Sequence, residues 1–290
     1  MRSRDSTLRP LHTALGRPHS FAVRRCPAKA LDYARLRDSH ETRDRPTRAK
    51  LCFRHCCGLG LGDVIPLHGH LIDVRGIGIS PPNKVSLLLG LYESAEYRFV
   101  RDYLLSDFPV IELGSSIGAA SNVVATRLRP GQHLTCVEAN PKLIPTLKRD
   151  LDHNGSPLDV DVIHAAVAYR GDSVPFIISD NNLVSNVAVQ PVDGITIVPT
   201  VSLSDLLTRS RCTSFQLVAD IEGAELDVLL HDRDALRLCR VIIMELHDTH
   251  RDAQAYSRDD LASLVVDAGF QIIARYGSVI VCRKTAGDAC

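Results

Sequence analysis

No apolar run in this 290-residue sequence approaches the roughly twenty residues needed to cross a bilayer, so no transmembrane helix is expected. The N-terminus lacks an apolar h-region, so a secretory signal is not expected either. No internal repeat is evident. A Gly-x-Ser-x-Gly elbow is missing, which counts against a Ser-His-Asp hydrolase. Net charge is missing too, because 34 Lys and Arg balance 34 Asp and Glu. That balance hides an asymmetry. Residues 1–55 hold fourteen Lys and Arg against five Asp and Glu, while the remainder holds twenty against twenty-nine. The acidic body argues against a nucleic-acid-binding core. The basic stretch 1–60 has no sustained hydrophobic period and is expected to be a disordered extension.

Cysteine does not form a framework. The nine cysteines are odd in number and scattered. Cys136, Cys239 and Cys282 sit in apolar runs, where cysteine serves as a small hydrophobe. The cluster Cys52, His55, Cys56 and Cys57 lacks a second ligand pair at zinc spacing, so no metal site is expected. A reducing, cytoplasmic setting fits best.

The remaining length holds one full α/β domain with extra segments. Residues 61–106 read as an accessory segment, with short strands between Val64 and Ile79 and a helix from Ser94 to about Leu105. Residues 107–285 alternate. Strands are expected at Phe108–Leu113, Leu134–Glu138, Val160–Val167, Val174–Ile178, Ile195–Val201, Phe215–Ile221 and Val241–Leu246. Helices are expected at Ile117–Leu128, Pro141–Asn154, Ser204–Thr208, Ala224–Leu230 and Ser257–Ala268. Phe270–Arg275 and Ser278–Arg283 read as a hairpin turning at Gly277, which implies an antiparallel edge strand. Residues 286–290 are a tail. Such alternation predicts an α/β fold, a mostly parallel sheet with helices on both faces.

Three strand ends carry chemistry. Val110-Ile-Glu-Leu-Gly-Ser-Ser-Ile-Gly118 is a strand, a glycine turn and a helix start, with Glu112, Gly114, Ser115 and Gly118 as its working residues. Gly114 permits a tight turn and close ligand approach, and Gly118 lets the helix pack near the strand. The Gly-x-Gly-x-x-Gly pattern is absent, which lowers the case for NAD. Glu138 ends the next strand, where two carboxylate oxygens match the paired hydroxyls of a ribose. Asp220-Ile-Glu-Gly-Ala-Glu225 follows a third strand. Asp220 and Glu222 are expected to face the crevice and Glu225 to complement the helix dipole; so close a pair also suits a divalent cation. Glu245 and His247, two apart after a fourth strand, are expected on one side, with His247 able to exchange a proton near neutral pH.

These segments, together with Val137-Glu-Ala-Asn-Pro141 and Ile243-Met-Glu-Leu-His247, resemble the FkbM family of S-adenosylmethionine-dependent methyltransferases. Leu91-Tyr-Glu93 and Gly269-Phe270 look like that family's flanks. The resemblance spans roughly residues 70–285. The Asp-Ile-Glu-Gly-Ala-Glu segment is its most specific part; the acid at Glu112, where Asp is commoner, and the basic head depart from it. It implies a Rossmann-like, seven-stranded sheet, S-adenosyl-L-methionine as cofactor, and methyl transfer to a hydroxyl of a sugar, a polyketide or another small metabolite. Carried over by motif, Glu112, Gly114, Ser115 and Gly118 would cradle the methionine end and Glu138 the ribose. Ala139, Asn140, Ala165 and Ala166 would lie along the adenine, and Asp220 would border the sulfonium. His247 is the first candidate for the base and Glu222 the second, with Glu245 beside them. The polar loop Asp180–Asn186 is expected to hydrogen-bond a hydroxyl-rich acceptor. An NAD-linked oxidoreductase and a catalytically silent binding protein stay open as alternatives.

Overall fold

The computed structural model describes residues 63–91, 94–154, 158–178, 186–187 and 195–285. The chain divides into two units, Met1–Thr47 and Arg48–Cys290, and every described residue lies in the second. The basic stretch 1–60, the Cys52–Cys57 cluster, Tyr92 and Glu93, the acceptor-loop residues 179–185 and the tail 286–290 fall outside the described residues.

The described chain opens with the hairpin β1 (Val64–Leu67) and β2 (His70–Asp73), then α1 (Pro81–Leu88) and α2 (Ser94–Tyr103). It continues through β3 (Val110–Leu113), α3 (Ala119–Arg127), β4 (His133–Glu138), α4 (Ile144–His153), β5 (Asp159–His164) and β6 (Ala166–Val167). Next come β7 (Ser173–Ile177), β8 (Asn186–Val187), β9 (Ile195–Val201), α5 (Leu203–Ser210) and β10 (Phe215–Ala219). The last part is α6 (Glu225–His231), α7 (Arg233–Arg237), β11 (Cys239–Glu245), β12 (Thr249–Arg251), β13 (Gln254–Tyr256), α8 (Arg258–Asp267), β14 (Phe270–Tyr276) and β15 (Val279–Lys284).

Seven strands form the main sheet in the order β14-β15-β11-β10-β3-β4-β5. The pairs β5–β4, β4–β3, β3–β10 and β10–β11 are parallel, whereas β15 runs antiparallel to both β11 and β14. The expected α/β sheet is therefore present, with one difference at its end. The antiparallel strand is β15, one place in from the edge, because the hairpin inserts its second strand beside β11. The chain leaves β3 towards β4 on one side and returns to β10 on the other. Open α/β sheets bind ligands at such a reversal, beyond the carboxyl ends of the strands.

Strand alternation sends side chains to two cores. Ile111, Leu113, Leu217, Ile242 and Met244 pack with α5, α6, α7 and α8. Val110, Val218, Val241 and Ile243 pack with α2, α3 and α4. All of β3 and β10 is buried, so each reads as apolar apart from a single buried polar residue, Glu112 or Gln216. A third core joins Ile65, Ile72, Val74 and Leu87 of the leading segment to Ile117, Ala119 and Leu143. That segment thus covers the glycine turn and the turn after β4.

Several boundaries differ from expectation. The single strand expected over 160–167 is two: Ala165 donates its N–H to the Glu138 carbonyl (3.1 Å), and β6 leaves to pair with β9 in a small four-stranded sheet. The helix expected from Pro141 begins at Ile144, since the Asn140 side chain accepts from Lys142 N–H (3.0 Å) and holds the intervening residues as a turn. The hairpin β12–β13 has no glycine signal; Asp252 and Ala253 supply the positive φ values (48° and 65°) that its turn requires.

Candidate active site

Gly114 follows directly on β3. Its φ is +84°, and a Cβ there would lie 1.8 Å from the Asp220 carbonyl oxygen, so only glycine allows the turn to touch the end of β10. The N–H groups of Gly114 and Ser115 donate to the Val137 carbonyl at 2.9 and 3.0 Å. Gly118 (φ +82°) would place a Cβ 2.8 Å from Leu147 Cδ1. The close contact it permits is between the start of α3 and α4, rather than with the strand as expected.

Glu138 joins the two turns. One carboxylate oxygen accepts from Ser116 N–H at 2.7 Å, the other from Asn140 N–H at 2.6 Å. Burial pushes its pKa up, and these N–H groups oppose that rise. The Ala139 N–H also donates to this carboxylate, and its two oxygens together offer about four acceptor positions, so capacity for a vicinal diol remains. Asn140 is itself buried and shapes the turn, while Ala139 packs with Ala166, Phe176 and Val198. Ala165 and Ala166 are buried as well. The residues fit a ribose and an apolar ring by the chemistry of their side chains.

Glu112 is different. It faces the α2–α4 side, within reach of the Cys136 thiol at 3.5 Å, and is almost wholly buried. Burial raises its pKa to about 7, with the Ser121, Cys136 and Ser115 side chains opposing.

The acids after β10 gather around one histidine. His247 Nδ1 lies 3.0 Å from Glu225 Oε1, and Nε2 lies 3.5 Å from Glu222 Oε2 and 3.8 Å from Asp220 Oδ1. Burial lowers the pKa of His247, but the hydrogen bond to Glu225 and the charges of Glu225, Asp220 and Glu222 outweigh it and raise it to about 9. These surroundings therefore favour the imidazolium form. Glu222 is held at φ +52°, a strained conformation for a side-chain-bearing residue. Its pKa is raised by burial and partly lowered again by His247. Asp220, Glu225 and His247 bring ligand-type atoms within 4.8 Å of one another.

The model of the methyltransferase FkbM domain matches residues 112–272, more than half of the chain. The chain belongs to the FkbM methyltransferase family. No curated protein matches it. Among solved structures it is similar to magnesium protoporphyrin IX methyltransferase from Synechocystis PCC 6803, with 11% identity over 67–70% scale coverage, namely 70% of this chain and 87% of that one, at a TM-score of 0.41. It is also similar to the ribosomal protein L11 methylase of Lactobacillus delbrueckii subsp. bulgaricus, with 13% identity over 67% of this chain and 80% of that one, at a TM-score of 0.41.

The FkbM domain is a methyltransferase domain and its cofactor is S-adenosylmethionine, which removes the NAD-linked alternative. Within it the structure brings together Asp220, Glu222 and His247 as expected from their strand ends. Glu245 accepts from Ser278 Oγ at 2.7 Å and acts on Glu222 through charge. β11 ends at Glu245, so His247 lies beyond the strand. Glu225 was undervalued by sequence reasoning. It has no exposed surface and accepts from Ile221 N–H (3.1 Å) and Gly223 N–H (2.9 Å) besides holding His247. Its position three residues after Glu222 was the available signal. No helix among the described residues is long and apolar enough to cross a membrane.

Proposed function

We propose that this FkbM-family chain methylates a hydroxyl oxygen of a small metabolite, with Glu138 gripping the ribose of the cofactor and Glu222 acting as the base. The observation that carries this reading is the contact of Gly114 with the Asp220 carbonyl, which sets the glycine turn directly against the acid–histidine cluster. Ribose-binding and proton-accepting groups then share one mouth of the sheet. S-adenosylmethionine supplies an electrophilic methyl group on a sulfonium, so the protein contributes orientation, exclusion of water and a proton acceptor.

The order of the two base candidates reverses on structural grounds. The carboxylates of Glu225, Asp220 and Glu222 raise the His247 pKa to about 9, which favours the ring's charged form and leaves Glu222 as the better proton acceptor. Glu222 is the partly exposed acid at the mouth, and the neighbouring imidazolium favours its ionised form. As the acceptor oxygen bonds to the methyl carbon, its proton passes to the Glu222 carboxylate, and the carbon–sulfur electron pair stays with sulfur. Asp220 faces the same space and offers negative charge to the sulfonium. The hydroxylated acceptor is read from the site's need for a base and from the family resemblance.

The test is transfer of a labelled methyl group from S-adenosylmethionine to a panel of sugars, polyketides and other hydroxylated metabolites. An alkali-stable labelled ether together with released S-adenosylhomocysteine supports the reading. Label found on nitrogen or carbon overturns the oxygen assignment. Absence of S-adenosylhomocysteine with every acceptor favours a silent scaffold.

A further inference from the structure

We infer that Glu225 is a positioning residue which holds the His247 ring as a cation aimed at Glu222 and Asp220, and so keeps Glu222 ready to accept a proton. This rests on the methyl-transfer reading above. It concerns a residue that does not face the reactants: Glu225 has no exposed surface, so it acts only through what it touches.

The geometry leaves it three jobs at once. Oε1 accepts from Ile221 N–H at 3.1 Å and faces His247 Nδ1 at 3.0 Å, while Oε2 accepts from Gly223 N–H at 2.9 Å. Ile221 and Gly223 flank Glu222, whose φ of +52° is costly without such support. One carboxylate therefore fixes both the turn that presents Glu222 and the ring that faces it. With Nδ1–H committed to Glu225, Nε2–H points to Glu222 Oε2 (3.5 Å) and Asp220 Oδ1 (3.8 Å). A buried carboxylate beside an imidazole fixes its orientation and favours its charged form.

The charged groups around the ring agree with this. Asp220 comes from the end of β10, and Glu222 and Glu225 from the turn and helix that follow it. Glu245 of β11 adds negative charge at Glu222. Arg251, on the hairpin beyond, pairs with Asp227 at 2.9 Å and lies 3.0 Å from His231. A chain of alternating charge results, from Glu225 through His247 to Glu222. Loss of the first charge is expected to lower the His247 pKa and raise that of Glu222, so the pH window of turnover narrows from both sides.

The test is a nuclear magnetic resonance titration of the full chain, with the His247 signal identified by its loss in His247→Asn. In the wild type a midpoint near 9 is expected, well above the ordinary 6.5. In Glu225→Gln the midpoint should fall by about one to three units, and the turnover profile should narrow. A wild-type midpoint at or below 6.5 overturns the inference, and needs no variant to fold. An unmoved midpoint in a folded Glu225→Gln protein overturns it too. Calorimetry with S-adenosylmethionine on the same samples tells the failures apart. A wild type that binds the cofactor but has a low His247 midpoint loses only this inference. A wild type that binds no cofactor loses the methyl-transfer reading, and the inference with it.

Discussion

Gly114 stands against Asp220 so closely that the glycine's missing side chain is filled by the aspartate's carbonyl: a Cβ would fall 1.8 Å from that oxygen. The contact ties β3 to β10 where the chain reverses its direction of travel across the sheet. It is backbone against backbone, so no side-chain rotation relieves it.

Gly114→Ala is therefore expected to unfold the mouth of the sheet, at a cost above about 4 kcal/mol. Gly131 is the control. Its φ of +81° is nearly the same, but nothing lies within 4 Å of a Cβ there. Gly131→Ala should cost only the left-handed strain, about 1 kcal/mol. Thermal or urea melts of the two variants separate strain from collision; equal losses would show that the close approach contributes nothing.

Glu138→Ala should lower cofactor affinity by about a hundredfold or more, as expected when charge-assisted hydrogen bonds to a diol are lost. The same change frees the N–H groups of Ser116 and Asn140, so the turns should loosen as well. Calorimetry reads the first effect and amide hydrogen exchange at Ser116 and Asn140 the second. Near-normal affinity would remove Glu138 from the cofactor site.

The strands β3 and β10 and the acid at the end of β4 were legible in the sequence because each is a local pattern: an apolar run closed by a glycine or a carboxylate. Asp220 and Glu222 were legible for the same reason. Glu225 was not, because its worth lies in contacts with Ile221, Gly223 and His247, the last of them brought in by a different strand. The protonation of His247 was hidden likewise, since three carboxylates set it and only folding assembles them around the ring. The hairpin β12–β13 escaped because non-glycine residues make its turn. The shift of β15 inward from the edge is a matter of strand order, which hairpin spacing does not encode.

Glu112 should make stability depend on pH. Its folded pKa of about 7 lies above the ordinary 4.5, so the native state prefers the protonated carboxyl. That contribution is fully present below 4.5 and is lost as pH rises through 7. Glu112→Gln keeps the shape without the charge, so it should be more stable than the wild type at pH 8 by about 1–3 kcal/mol. Urea unfolding at pH 5 and 8 measures this. Asp150, also raised to about 7 by burial, adds a slope of the same sign to both proteins, so the comparison between them isolates Glu112. A variant less stable than the wild type at pH 8 would mean that the neighbouring hydroxyls and thiol stabilise the anion more than burial penalises it.

The base assignment separates Glu222 from His247. Glu222→Gln should lower kcat by about two to four orders of magnitude, the usual contribution of a positioned base, with cofactor affinity near that of the wild type. His247→Asn removes a cation 3.5 Å from Glu222 rather than the base itself. Its kcat should fall less, and the acid limb of its pH profile should move to higher pH, because Glu222 then loses the charge that favours its ionised form. If His247 were the base, the pattern would invert: His247→Asn would be the more damaging change and Glu222→Gln would leave turnover nearly intact. Steady-state kinetics from pH 4 to 10 on the two variants distinguish these orders, and the wild-type profile adds a check. With Glu222 as base and His247 as its cationic neighbour, activity should decline as pH rises through about 9, where the imidazolium is lost.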